Sequence, residues 1–203
     1  MKIRPVILCG GSGTRLWSNR KHHQRKQLVD FGNWTLFGKT LGRGRNSIFD
    51  YPIISTNKRY INEIKKHLRL KGLKKYKIIL EPAKRNTAPA ILSSALIKEI
   101  PENQPLIFLT SDHLIEKTNL FNKSIKQYQK YLTDKNIFIF GIKPSNPSSE
   151  FGYFLSKRFN NKCKVIRFIE KPNLDKAKQI IKKNAYLNSG MFFLTKKSII
   201  NNF

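Results

Sequence analysis

Apolar residues along the chain follow two rhythms. Short runs rich in Ile, Val, Leu and Phe, at residues 3–9, 51–55, 76–81, 105–110, 136–141, 163–170 and 190–195, read as strands. Between them, apolar side chains recur every three or four positions, the period of a helix face. Ile61, Ile64 and Leu68 mark one helix, and Ile91, Leu92, Ala95 and Leu96 a second with a wider stripe. Phe121, Ile125, Tyr128 and Leu132 mark a third. A fourth runs from Leu174 to near Lys183, capped by Asn173, with Leu174, Ala177 and Ile181 turned inward. Strands alternating with helices build an α/β domain, a mainly parallel sheet with helices on both faces. The apolar positions are assigned to its core and to no chemistry. Ligands of such sheets bind outside the carboxyl ends of the strands. The segments that matter are therefore the strand exits at 10–15, 81–89, 111–113 and 170–172, and a turn at 188–190 ahead of the last strand. Residues 143–150, with two Pro and three Ser, read as a loop.

The chain's 203 residues, 39% of them hydrophobic, suffice for one domain, 1–203, with a sizeable core. Charge complicates the picture, since 40 Lys and Arg face 12 Asp and Glu, a formal +28. Such an excess invites a nucleic-acid partner. Against that, Lys far outnumbers Arg, the cations are dispersed, and no RNA- or DNA-binding motif is present, so the charge is assigned to solvated surface that also draws in phosphates. Cys9 and Cys163 lie in apolar runs without CxxC or His spacing, which predicts buried thiols and neither a disulfide nor a zinc site. The start, MKIRPVILCGG, does not fit a signal peptide, and no apolar run is long enough to span a bilayer. A cytoplasmic location without membrane contact is the expectation.

The first strand exit reads GGSGTRLW. Gly10, Gly11 and Gly13 let the backbone approach a phosphate and aim amide N–H groups at it. No Gly-Lys-Ser/Thr follows, which excludes a Walker A loop, and Leu16 stands where a dinucleotide fingerprint needs its third Gly. Arg15 and, further on, Lys26 in RKQLV add the cations that phosphoryl or nucleotidyl transfer needs, because charge neutralisation and positioning carry such reactions. Taken singly, these pieces also describe a tight turn with surface charges. Asp112 leaves the end of an apolar strand, where it suits either a turn or a metal. Asn86 or Thr87 suits the cap of a helix starting near Pro89.

Together the motifs are more specific. GGSGTRLW with KQL, EPAKRNTAPA at 81–90, SDH at 111–113, FGY at 151–153, EKP at 170–172 and NSGMF at 188–192 occur in the order of the sugar-1-phosphate nucleotidyltransferase family. The chain resembles that family over nearly its whole length, and Trp17 resembles its mannose-1-phosphate guanylyltransferase branch. The resemblance implies a Rossmann-like fold of the nucleotide-diphospho-sugar transferase type. It also implies transfer of GMP from GTP to mannose 1-phosphate, giving GDP-mannose for polysaccharide or glycan synthesis, and pyrophosphate. Gly10, Gly11, Gly13, Thr14 and Arg15 would hold the triphosphate, and Glu81, Asn86, Thr87 and Ala88 the base. Arg15 and Lys26 would be the catalytic cations and Asp112 the ligand of Mg²⁺. Gly152, Glu170, Lys171 and Asn188 would hold the sugar phosphate, and His113 would be a structural neighbour. Gly11, Arg15, Lys26, Asp112, Glu170 and Asn188 should then line one cleft.

Two departures qualify the pattern. After Trp17 the chain runs SNRKHHQRKQL, with Arg25 where the family carries a loop-stiffening Pro ahead of Lys26. It also stops at Phe203, whereas the family pattern continues into further catalytic-domain sequence with a second metal carboxylate. An apolar surface near residues 191–203, completion by another chain or a homo-oligomer, and weak turnover by this chain alone are the resulting expectations. A nucleotide-binding remnant, or a transferase using glucose 1-phosphate and dTTP, are the alternative readings.

Overall fold

Successive residues of a strand point to opposite sides, and here each side finds its own helices. A computed structural model describes residues 1–10, 26–82, 87–159 and 162–202. The chain divides into two compact units, Met1–Phe138 with the stretch from Phe192 onward, and Ile139–Met191. In the first unit β1 (Arg4–Leu8), β2 (Ile53–Asn57), β3 (Lys77–Glu81) and β4 (Pro105–Thr110) form a parallel array in the order β3-β2-β1-β4. The second half of a long last strand, β8 (Tyr186–Thr195), pairs antiparallel with β4. Burial on both faces explains the apolar stretches 6–8 of β1, 53–54 of β2 and 106–109 of β4.

The helices are α1 (Leu36–Arg43), α2 (Ile61–Leu70), α3 (Thr87–Ala95), α4 (Thr118–Gln129) and a short α6 (Lys196–Ile200), with α5 in the second unit. Val6 and Ile53 pack with Ile91, Ala95, Leu106, Phe108 and Ile199 against α3 and α6. Their neighbours Ile7 and Ile54 pack with Phe37, Leu41, Ile64 and Leu68 against α1 and α2. Helices therefore cover both faces of the sheet, as the alternation of apolar runs predicts. Phe37, fully buried and edge-on to His67 at 6.1 Å between centroids, anchors the second of these layers. Phe37→Ala is expected to cost about 3–5 kcal/mol of unfolding free energy, measurable as a lower midpoint in urea.

In the second unit β6 (Tyr153–Phe159) and β7 (Lys162–Ile169) form an antiparallel hairpin with a bulge at Leu155/Ser156. The first half of β8 pairs with β6, and β5 (Phe138–Ile142) pairs with β8. Ala177 and Ile180 of α5 (Leu174–Ile181) close over Tyr153 and Ala185, and Asn173 caps the helix by accepting from Lys176 N at 2.9 Å.

Several positions differ from the sequence expectation. Helix α3 ends at Ala95, so Leu96 leaves its apolar stripe and is exposed. Leu174 opens α5 and is exposed, and Ile180 takes the fully inward place expected of Ile181. Tyr128, in the last turn of α4, lies against the rings of Tyr131 and Phe138 and is exposed. Cys163 is exposed opposite Arg158 on the hairpin, whereas Cys9 is buried as expected. Residues 188–190 lie inside β8, not in a turn before it, and Gly190 absorbs the irregularity with φ +70°. The apolar surface expected near the last residues is also absent among the described ones. Met191, Phe193, Leu194 and Ile199 are buried, Leu194 and Ile199 in the cluster that includes Ile91 and Ala95 of α3, and of the described large apolar residues there only Ile200 is well exposed.

Candidate active site

The chemistry-bearing residues of the first unit meet at the exits of β1, β3 and β4. Glu81 ends β3 and leans back toward β1. Ser55 Oγ donates to its Oε1 at 2.6 Å, and Asn57 Nδ2 donates to its main-chain oxygen at 3.1 Å. The carboxylate lies so close to Gly10 that a Cβ there would overlap Oε2 and sit 3.0 Å from Oε1. A side chain at Gly10 would therefore have to displace the Glu81 carboxylate, a demand that comes from close approach and not from the backbone angle. Cys9, just before it, is buried, and burial pushes its thiol up to about 12, with Glu81 and Asp112 adding to the rise and a hydrogen bond with Ser111 opposing it. The thiol stays protonated and is no nucleophile.

Lys26 opens a short 3₁₀ turn, Lys26–Leu28, tied to the β1 exit by Gln27 Nε2, which donates to Cys9 O at 3.3 Å. Its ammonium lies 3.7 Å from Oδ2 of Asp112, with both side chains partly exposed. Asp112 is held by its neighbours. Ser111 donates to Leu8 O through its N–H at 3.3 Å and its hydroxyl at 2.8 Å, and His113 O accepts from Arg43 Nη2 at 3.2 Å. His113 Nε2 lies 3.9 Å from Asp112 Oδ1. Burial lowers the His113 pKa, and Lys26 and Arg43 lower it further against the pull of Asp112, so the ring is neutral at pH 7. Thr87 and Ala88 form the exposed first turn of α3, with Pro89 behind them in a place that needs no N–H.

In the second unit the residues expected to hold the sugar phosphate come from adjoining strands. Gly152 stands ahead of β6, Glu170 follows β7 and Asn188 lies in β8. A Cβ on Gly152 would lie 2.6 Å from Glu170 Oε2 and 3.8 Å from Asn188 Cβ, and Asn188 N donates to Gly152 O at 2.8 Å. Asn188 Oδ1 accepts from Gly190 N at 3.0 Å. Lys171 adopts φ +40°, a conformation that costs a residue with a Cβ and that clusters at functional sites.

Gly11, Gly13, Thr14, Arg15 and Asn86 lie outside the described residues. Of the remainder, Gly10 and Glu81 come together, as do Lys26 with Asp112, and Gly152 with Glu170 and Asn188. Ser55, Asn57, Gln27 and Arg43 were not anticipated. Only the position of Ser55 and Asn57 on a strand exit signalled them. Among the described residues no three His, Cys, Asp or Glu gather as a metal cage. A magnesium ion commonly takes one or two carboxylates, with phosphates and water completing its shell. Asp112 fits that pattern, since its nearest cation among the described residues, Lys26, stands beyond hydrogen-bond distance and the carboxylate is partly exposed.

A parallel sheet whose exits bring together Gly10, Glu81, Lys26 and Asp112 has the architecture of α/β proteins that bind ligands outside the carboxyl ends of the strands. The chain belongs to the nucleotidyl transferase family, whose model matches residues 4–202. It is 32% identical to mannose-1-phosphate guanylyltransferase RfbM of Salmonella typhimurium over 99% of this chain and 43% of that protein. It thus spans less than half the length of that relative. The crystal structure of mannose-6-phosphate isomerase from Helicobacter pylori is similar with a TM-score of 0.80 and 30% identity, covering 99% of this chain and 73% of that one. That of mannose-1-phosphate geranyltransferase from Thermus thermophilus shares the fold with a TM-score of 0.83 at 24% identity, covering 99% and 59%. Among the described residues no helix is long and apolar enough to cross a membrane.

Proposed function

We propose that the chain transfers GMP from GTP to mannose 1-phosphate, forming GDP-mannose and pyrophosphate. The observation that carries this reading is the Lys26–Asp112 pair at the exits of β1 and β4, 3.7 Å apart and next to the Gly10–Glu81 contact. A phosphate oxygen of mannose 1-phosphate attacks the α-phosphorus of GTP, and the bond to the bridging oxygen of pyrophosphate breaks. No covalent enzyme intermediate is needed. Both reactants are anions, so a cation fixed in advance at the α-phosphate favours the transition state. Lys26 supplies one such charge and Arg15 a second. Mg²⁺, when bound, adds charge on the reacting phosphates, and Asp112 is the residue that would hold it.

The Glu81 carboxylate explains the choice of base. With Oε1 already accepting from Ser55, Oε2 is the oxygen we assign to the N1–H or the amino group of guanine. Adenine presents a lone pair at N1, which a carboxylate repels. On the acceptor side, Glu170 and Asn188 accept from sugar hydroxyls, and Lys171 offers a cation to the sugar phosphate. The relatives' names support mannose as that sugar.

GTP with Mg²⁺ is expected to raise the melting temperature of the chain more than ATP or UTP at equal concentration. Equal shifts for all three would point to nonspecific attraction by a surface of net charge +28. Pyrophosphate release from GTP with mannose 1-phosphate, set beside dTTP with glucose 1-phosphate, tests the reaction itself. Faster release from the second pair would overturn the assignment.

A further inference from the structure

The turn that carries Asp112 rests on a buried cation. Arg43, in the last turn of α1, is 4% exposed, and among the described residues no carboxylate pairs with it. Its Nη2 donates to Thr40 Oγ1 at 2.8 Å and to His113 O at 3.2 Å. Among the described residues neither Nε nor Nη1, both buried, has a hydrogen-bond partner. The ring of Phe121 lies 5.8 Å from the guanidinium carbon. Burial lowers the Arg43 pKa to about 10, which leaves it protonated at neutral pH.

A buried, incompletely satisfied guanidinium is costly, and an apolar side chain of similar volume would fill the space at no such cost. The fold receives one thing in return. The His113 carbonyl is the acceptor one residue past Asp112, and on the other side Ser111 is tied to Leu8 O twice. Asp112 is thus clamped from β1 before it and from α1 after it. Thr40, one turn back on the same helix, orients the guanidinium by accepting from the same Nη2.

We propose that Arg43 is a positioning residue, which holds the Ser111–His113 turn so that Asp112 presents its carboxylate to the divalent cation of the nucleotide complex. This rests on the reading of Asp112 given above. Residues that orient a metal ligand from behind commonly change metal affinity by about 10- to 100-fold when replaced.

The test is Mn²⁺ binding in the presence of GTP, followed by electron paramagnetic resonance, on wild type, Arg43→Met, Arg43→Lys, Asp112→Asn and Leu41→Ala, with kcat and KM alongside. Arg43→Met is expected to keep or gain thermal stability and to weaken Mn²⁺ about tenfold. Its kcat should fall while the KM for mannose 1-phosphate stays unchanged. Arg43→Lys, which keeps the charge and a donor, should recover part of the loss. Leu41→Ala, destabilised in the same helix, should bind Mn²⁺ normally. Unchanged Mn²⁺ affinity in Arg43→Met, or equal weakening in Leu41→Ala, would overturn the proposal. Should Arg43→Met fail to fold, wild-type affinity in Arg43→Lys together with wild-type kcat would do the same. Because Mn²⁺ binding is read without turnover, a wild type that binds Mn²⁺ through Asp112 yet releases no pyrophosphate would sink the proposed reaction and leave the Arg43 comparison intact. Normal Mn²⁺ binding by Asp112→Asn would remove the basis for Arg43.

Discussion

Lys26→Ala is expected to slow pyrophosphate release from GTP and mannose 1-phosphate by about a hundredfold or more, with little change in the stability of the chain. The two halves of that expectation have different origins. Removing one preorganised charge from a site of phosphoryl or acyl transfer commonly costs on the order of 10²–10³ in rate. The ion pair with Asp112 is long, at 3.7 Å, and partly exposed, so its loss should cost the fold less than about 1 kcal/mol. The fall should appear mainly in kcat, since the proposed mechanism has the lysine act on charge that develops at the α-phosphate and assigns the base to Glu81. Steady-state kinetics paired with a thermal melt separates the two effects. A rate within a few-fold of wild type would remove Lys26 from the mechanism, and a collapse of the melting temperature would make it structural.

What was legible in the sequence is what local pattern controls. The apolar runs of β1, β2 and β4 are buried on both faces and stand out without any partner being known, and their alternating residues already divide into the two helix layers. Helix α1 was not legible, because Gly38 and Gly42 interrupt its pattern and carry low helix propensity. Its stability comes instead from Thr35, which accepts from Gly38 N at 2.9 Å, and from burial of Leu36, Phe37 and Leu41. Strand β6 was hidden because Ser156, Lys157 and Arg158 break its apolar run in the middle. Helix α6 looked polar, although Lys196 is buried and spends its ammonium on the carbonyls of Ile97 and Ile100 at 2.9 and 2.8 Å.

The site divides in the same way. Glu81, Lys26 and Asp112 stand on strand exits or in motifs whose order resembles the family, and that ordered resemblance, beyond position, nominated them. Ser55, Gln27 and Arg43 act through hydrogen bonds to groups far along the chain, and nothing in their own neighbourhood announces that. Cys163 shows the converse, since an apolar flank suggested burial and the hairpin edge leaves it exposed.

Gly10→Ala offers the sharpest test of how the base is read. Gly10 does not need a left-handed backbone, and among the described residues the positive-φ glycines are Gly32, Gly72 and Gly190. An alanine there meets a steric problem only. Its methyl would overlap Glu81 Oε2 and crowd Oε1 at 3.0 Å. The carboxylate end of a side chain can swing away, so the fold should survive with a loss of about 1–3 kcal/mol, the cost of overpacking. Swinging it breaks the 2.6 Å bond from Ser55 and removes Oε2 from the place where a guanine donor would meet it. GTP affinity should therefore fall about tenfold or more, in line with a lost hydrogen bond to a charged group, while ATP affinity changes little and the preference for GTP collapses. Calorimetric titration of both nucleotides into Gly10→Ala, with Glu81→Gln as a parallel, measures this directly. A Gly10→Ala variant that keeps the wild-type ratio of GTP to ATP affinity would show that Glu81 does not read the base and that its contact with Gly10 serves the packing of the β1 exit alone.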